Sequence, residues 1–268
     1  NAIIGGGNNA TIKDCRYGSI IGGLDNTIEM TLNTGETGPG SDSSERADYA
    51  AIMGGRSNLI KDGGYSVIAG GKGNEMYGHR GPIFGTTTDE PFWCFIGGGK
   101  ENKIISSSNA LIVGGTSGQI RFSSGASIVG GGGQVYESAG SFMGGGSGAT
   151  IYNSLYASSV GGLDLGISSS AYSFIGGGQV NDINLSTHAF LGGGQNNVIT
   201  NAKHSSIVAG DNNSILNSTG SFIGAGRLHE ITSSVSSVLV GGIDNTITDS
   251  DYSAILGGQG ITITNSTG

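Results

Sequence analysis

Large aliphatic residues recur along this chain at fixed distances from a glycine pair. Take as reference the first glycine of each pair that lies six residues before an aliphatic side chain. These positions are Gly6, Gly22, Gly54, Gly70, Gly98, Gly114, Gly130, Gly145, Gly161, Gly177, Gly193, Ala209, Ala225, Gly241 and Gly257. From Gly145 to Gly257 every step is 16 residues, and the two alanines change the letter while keeping the phase. Earlier steps are 16, 15, or 16 plus an insertion. Two residues before the reference stands an aliphatic column running from Ile4 to Ile255, in which only Ser159 is not a large apolar residue. Four residues before it the side chain is always small, as at Ala2, Gly18, Ser66 and Cys94. Alternation of small, large and tiny side chains marks a β-strand with that face inward. Six residues after the reference comes a second column, from Ile12 to Ile263, with Tyr136 holding that place after Gly130.

A fixed period of this length means a solenoid, each repeat forming one coil on the last. Sixteen residues per coil accommodate two short strands and two turns and are tight for three faces, so the fold predicted is all-β, a parallel β-solenoid of the β-roll type with two strands per coil. The array occupies residues 1–268 as one domain, interrupted by insertions at about 31–49 and 77–93. Both leave after the second strand, following Ile28 and Met76, and return before Ala50 and Cys94, which places them at one corner. Two residues before the second column Asn recurs, at Asn26, Asn58, Asn74, Asn102, Asn181, Asn197, Asn213 and Asn245. Amides repeated in register can hydrogen-bond from coil to coil.

The outward sides of the two strands differ. The second is flanked by polar residues such as Thr27, Glu29, Lys103 and Asp182, so that side faces water. The first is flanked by Ile21, Met53, Val113, Val208 and Val240, or by Phe95, Phe142, Phe174, Phe190 and Phe222. A strand apolar on both faces is buried on both. Each of those five Phe is followed two residues later by Gly, an exchange of volume that a close-packed layer requires. The expectation is a parallel homotrimer whose interface holds Phe95, Phe142, Phe174, Phe190, Phe222, Val208 and Val240.

Composition narrows the function. Glycine supplies 54 of 268 residues while Pro contributes only 3, which excludes both collagen and Pro-Gly linkers. Charged residues are 12% of the chain, about half the globular norm. A net charge of −8 without a run of Lys or Arg argues against nucleic acid and makes a polyanion partner unexpected. No apolar run approaches the ~18 residues of a membrane span, so no membrane insertion is expected. The repeat stands in mid-phase at Asn1 and Gly268, from which a longer fibre is expected.

The units SFIGGGQVNDI (Ser173 to Ile183), AFLGGGQNNVI (Ala189 to Ile199) and SIIGGLDNTI (Ser19 to Ile28) resemble repeats in tail fibres of cyanobacterial phages and in fibre-like proteins of large marine viruses. They are more distantly similar to the YadA-like heads of trimeric autotransporter adhesins. The resemblance implies a left-handed parallel β-roll, three parallel chains, an extracellular place on a virion surface, and attachment to a host. A bacterial cell-surface adhesin head is the alternative it leaves.

Candidate chemistry is sparse. The GGGQ triplets sit in the repeat phase and no GxxxxGK[ST] occurs, so they are structural. Asp25, Asp164 and Asp244 are too few for an array of calcium sites. His79, His188, His204 and His229 are read as scattered and out of phase, giving no metal ligand set; no cofactor is expected. Cys94 and Cys15 lie in distant coils and are not expected to pair. Asp249 with Asp251 and Asp89 with Glu90 are the carboxylates closest in sequence to a glycosidase pair, but nothing shows them opposed across a groove, so no enzyme activity is expected. A polysaccharide-cleaving spike is nevertheless a rival reading. An ice-binding solenoid is another, disfavoured because the column of Thr27, Leu59, Glu75, Lys103 and Gln119 is irregular. The insertions supply the aperiodic side chains, and function concentrates on loops held by a rigid scaffold. Glu45 and Arg46 in the first, with His79, Arg80, Asp89, Glu90, Phe92 and Trp93 in the second, form the candidate receptor-binding set, for a host-surface glycan or protein.

Overall fold

The computed structural model describes residues 1–15, 17–29, 49–78 and 93–267. Among these the chain is all-β, with two sheets of 15 parallel strands each, one built from every first strand and the other from every second. First strands are two residues long, as at Phe174–Ile175, and second strands usually three, as at Asp182–Asn184. Two compact units divide the chain, Asn1–Val135 and Tyr136–Gly268.

In the first unit, strand Ser19–Ile20 pairs in register with Ala51–Ile52, and Thr27–Glu29 pairs with Leu59–Lys61. The coils on either side of residues 30–48 therefore stack as ordinary neighbours. Likewise Val67–Ile68 pairs with Phe95–Ile96, and Glu75–Tyr77 with Lys103–Ile105. Residues 30–48 and 79–92 thus each follow a second strand and precede a first strand in the sequence. The coils keep more residues than expected, because Tyr49, Tyr77 and Trp93 belong to them.

Both aliphatic columns point inward. Ile52, Ile60, Ile96 and Ile104 in the first unit, and Ile175, Ile183, Leu191 and Ile199 in the second, are inaccessible to water. Such a core stabilises by about 2–3 kcal/mol for each large side chain buried. One column member is corrected: Val135 is buried, whereas Tyr136 points outward and its ring stacks on Tyr152 at 5.5 Å. The 15-residue coil omits its residue between the glycines and the column, so counting six from Gly130 overshoots by one. Ser159, the exception in the first column, is fully buried with its hydroxyl unpartnered.

Polar ladders complete the interior. Asn197 Nδ2 donates to the carbonyls of Gly193 (3.0 Å) and Gly210 (2.9 Å), and its Oδ1 accepts from the backbone N–H of Asn213 (3.0 Å). Each Asn thus ties its own glycine turn to the next coil through the backbone, rather than chiefly amide to amide. The third residue of the glycine turn, Gly194, has φ +91°, and a Cβ there would strike the Gly210 carbonyl. A serine ladder on the opposite turn works the same way: Ser154 Oγ donates to the Tyr152 carbonyl (2.8 Å) and accepts from the Ser170 N–H (2.9 Å).

His229 occupies an Asn position in the second unit. Its N–H donates to Asn213 Oδ1 (3.0 Å) and its Nδ1 accepts from the Asn245 N–H (3.3 Å). Only a ring unprotonated at Nδ1 can accept, and burial, the main cause, pushes its pKa below the ordinary imidazole value. The contribution of the neutral ring is fully present above the unfolded pKa of about 6.5 and is lost as pH falls below it. Replacing His229 with Asn is expected to raise the melting temperature by a few degrees, for about 1 kcal/mol, and to flatten its decline between pH 7.5 and 5.5. An unchanged pH slope in thermal melts would show that His229 does not titrate on unfolding.

Candidate functional site

Of the candidate receptor-binding residues, Glu45, Arg46, His79, Arg80, Asp89, Glu90 and Phe92 lie outside the described residues. Trp93 is described, and it is a coil residue. It stands five residues before Gly98, at the corner where the chain turns into the first strand, with φ +60°. Tyr17, Tyr49 and Tyr65 occupy the same corner in preceding coils at φ between +51° and +60°. The four rings form a continuous stack, Tyr17 to Tyr49 at 4.8 Å, Tyr49 to Tyr65 at 5.0 Å and Tyr65 to Trp93 at 4.9 Å, with interplanar angles no greater than 19°. A bulky residue in the left-handed region costs energy that offset stacking between coils compensates in part. Trp93 ends this stack and remains 66% exposed, the next residue in its column being Asn109.

The second unit repeats the device with Tyr156, Tyr172, His188 and His204, at centroid distances of 5.0–5.4 Å. This corrects the reading of the histidines as out of phase: His188 and His204 share one column and their rings stack at 5.0 Å. Among the described residues no group of three His, Cys, Asp or Glu could hold a metal ion. Neither cysteine is in a disulfide. Cys94 is buried, its Sγ lies 2.9 Å from the Ser107 carbonyl, and burial pushes its thiol up to about 11, which suits a packing role.

The five Phe of the expected interface are described, and they explain the paired glycines differently. In each coil the Phe ring lies down over the glycine two residues on; a Cβ at Gly97, Gly144, Gly176, Gly192 or Gly224 would come within 3.1–3.4 Å of the ring's own Cε1. At Gly97, Gly176, Gly192 and Gly224 such a Cβ would come closer still to a backbone carbonyl of the next coil, so the exchange of volume is met within the single chain and needs no second layer. What persists is the exposure: Phe190 is 41% exposed, and Phe142, Val160, Val208 and Val240 are similarly open on the outward side of the first sheet.

Two carboxylates border a shallow depression of about 300 Å³ in the second unit, lined by Gly148, Thr150, Asp164, Gly166, Val180 and Asp182 among others. Burial raises the Asp182 pKa. Glycoside hydrolysis needs carboxylates on opposite sides of a bound sugar. Here both fold back over glycines of the preceding coil, Asp164 over Gly148 and Asp182 over Gly166, and lie on one surface. Asp251, considered from the sequence, accepts the Val235 N–H at 2.7 Å and serves the turn.

Charge is organised by column. Lys61 pairs with Glu29 (3.1 Å) and Lys103 with Glu75 (2.6 Å) between coils of the second sheet. At the glycine-turn edge, Arg56, Lys72 and Lys100 bridge one another in sequence through their backbones. Separations of 16 and 28 residues hid this cluster in the sequence. Comparison of the chain with known protein families, with curated proteins and with solved structures finds no match.

Proposed function

We propose that this chain is a stiff segment of an adhesive fibre, in which three copies run parallel with the outward faces of their first sheets together, and which supports attachment of a virion to its host. The observation that carries this reading is the outward face of the first sheet. In the second unit Phe142, Val160, Phe190, Val208, Val240 and Leu256, each from a different coil, leave that face apolar and exposed in a single chain. Contiguous apolar patches of this kind are uncommon on monomers and mark interaction surfaces. Because the columns repeat with the coil, a second copy running in the same direction meets them in phase. A cyclic closed assembly also covers the face in every copy. Three copies, and the virion surface, are what the resemblance to the cyanobacterial phage and marine virus fibres implies; a bacterial adhesin head would use the same face.

Light scattering on the purified chain tests the reading. A mass three times that of the chain at micromolar concentration is expected, and a stable monomer would overturn it.

A further inference from the structure

The edge formed by Arg56, Lys72 and Lys100 is a feature that folding does not require. Like charges opposite each other on paired strands destabilise a sheet. The second unit avoids this in the same column, where Asp211 bridges Arg227 and the neighbours are Gln179, Gln195 and Ile243. In the first unit three cations follow one another on successive coils, about 4.8 Å apart. Their backbones are held firmly, Arg56 N–H donating to the Gly71 carbonyl (2.8 Å) and Lys72 N–H to that of Gly99 (2.9 Å). All three side chains are exposed. Lys100 has Glu101 at 3.3 Å, whereas the ion pairs among the described residues leave Arg56 and Lys72 uncompensated. Beside each cation stands a glycine pair, Gly54 and Gly55, Gly70 and Gly71, Gly98 and Gly99, so the cations rise from a shelf without competing side chains.

We infer that this edge is a docking strip for an acidic polysaccharide, bound lengthwise across the coils with its carboxylates or sulfates on Arg56, Lys72 and Lys100. The strip is one residue wide, and Asp25 and Glu101 flank it. The net charge of −8 makes a polyanion unexpected for the chain as a whole, but the coils gather three cations that the sequence keeps 16 and 28 residues apart, and the net charge repels a polymer as densely charged as nucleic acid more than a sugar chain with spaced charges. Arg supplies a bidentate fork for carboxylate or sulfate, and Lys a flexible point charge. As the receptor class of the proposed fibre, this inference rests on the adhesive reading for its biological use, but the binding itself does not.

The test uses the full chain with immobilised polygalacturonate and chondroitin sulfate as acidic probes, neutral dextran as control and a short DNA duplex as rival. Binding to at least one acidic polysaccharide is expected in 50 mM salt, weakening steeply as salt rises, with none to neutral dextran. The double variant R56Q/K72Q should bind at least tenfold more weakly. Gln already occupies this column at Gln179 and Gln195, so the variant is compatible with the coil, and circular dichroism checks its fold. The variant R227Q, which removes a cation of the second unit, should bind like the parent. Absence of binding to both acidic polysaccharides, undiminished binding by R56Q/K72Q, an equal loss in R227Q, or tighter binding to DNA than to either polysaccharide would overturn the inference. Light scattering on the same samples reports assembly separately, so a monomer that binds acidic polysaccharide defeats the fibre reading alone.

Discussion

Changing Phe190 to Asp is expected to convert the proposed trimer into a folded monomer. The Phe190 ring lies on the outward side of the first sheet, stacked on Phe174 at 5.6 Å with an interplanar angle of 8°. In an isolated chain the new carboxylate meets water, so the coil loses only the ring's partial cover, about 1 kcal/mol. Between copies the same carboxylate would be buried in an apolar seam several times over, at an effective penalty of several kcal/mol each. The measurement is mass by light scattering beside far-UV circular dichroism. A threefold fall in mass with an unchanged spectrum is the expected result, while an unchanged mass would remove this face from the interface.

The largest effect on the single chain should come from Asn197. Its side chain is inaccessible to water and satisfies three backbone groups at once, the carbonyls of Gly193 and Gly210 and the N–H of Asn213. Truncation to Ala leaves the Gly193 carbonyl and the Asn213 N–H without that partner, while the Gly210 carbonyl keeps the Gln195 N–H at 2.9 Å; each buried group abandoned in this way costs about 1–3 kcal/mol. We expect Asn197→Ala to destabilise by about 2–6 kcal/mol in urea unfolding. A loss below about 1 kcal/mol would show that the ladder is dispensable in its coil.

Why the sequence discloses some of this and conceals the rest has a physical basis. Ile183, Ile199 and Ile215 are one requirement met by one letter, because the interior column accepts little but a β-branched aliphatic, and they are legible at once. The corner of Tyr65, Trp93, His188 and His204 demands only a left-handed backbone, which Asn109, Gly125, Gly220 and Ser236 also adopt there, so no single residue type announces the column. Arg56, Lys72 and Lys100 are invisible as a group because the coil, not the chain, makes them neighbours. The Phe and Gly exchange is visible in the sequence, but its cause is the direction in which a side chain lies, and only geometry shows that the ring of Phe174 covers Gly176. Trp93 reads as a loop residue because the insertion before it breaks the count, yet it stacks on Tyr65 as regularly as any neighbour.

The parallel pairing of successive coils has a mechanical consequence. In the second unit the hydrogen bonds from one coil to the next, such as Phe190 N–H to the Ser205 carbonyl and Val198 N–H to the Asn213 carbonyl, point along the direction in which coils are added. A pulling force applied in that direction loads these bonds in tension, one coil boundary at a time, instead of shearing many at once. The outermost coil therefore yields first, together with its Asn and Ser rungs, while the coils beneath keep theirs. Each yielding event frees one 16-residue repeat, roughly 50–60 Å of extended chain, and under load the second unit should lengthen in even increments and behave as a shock absorber rather than a brittle rod.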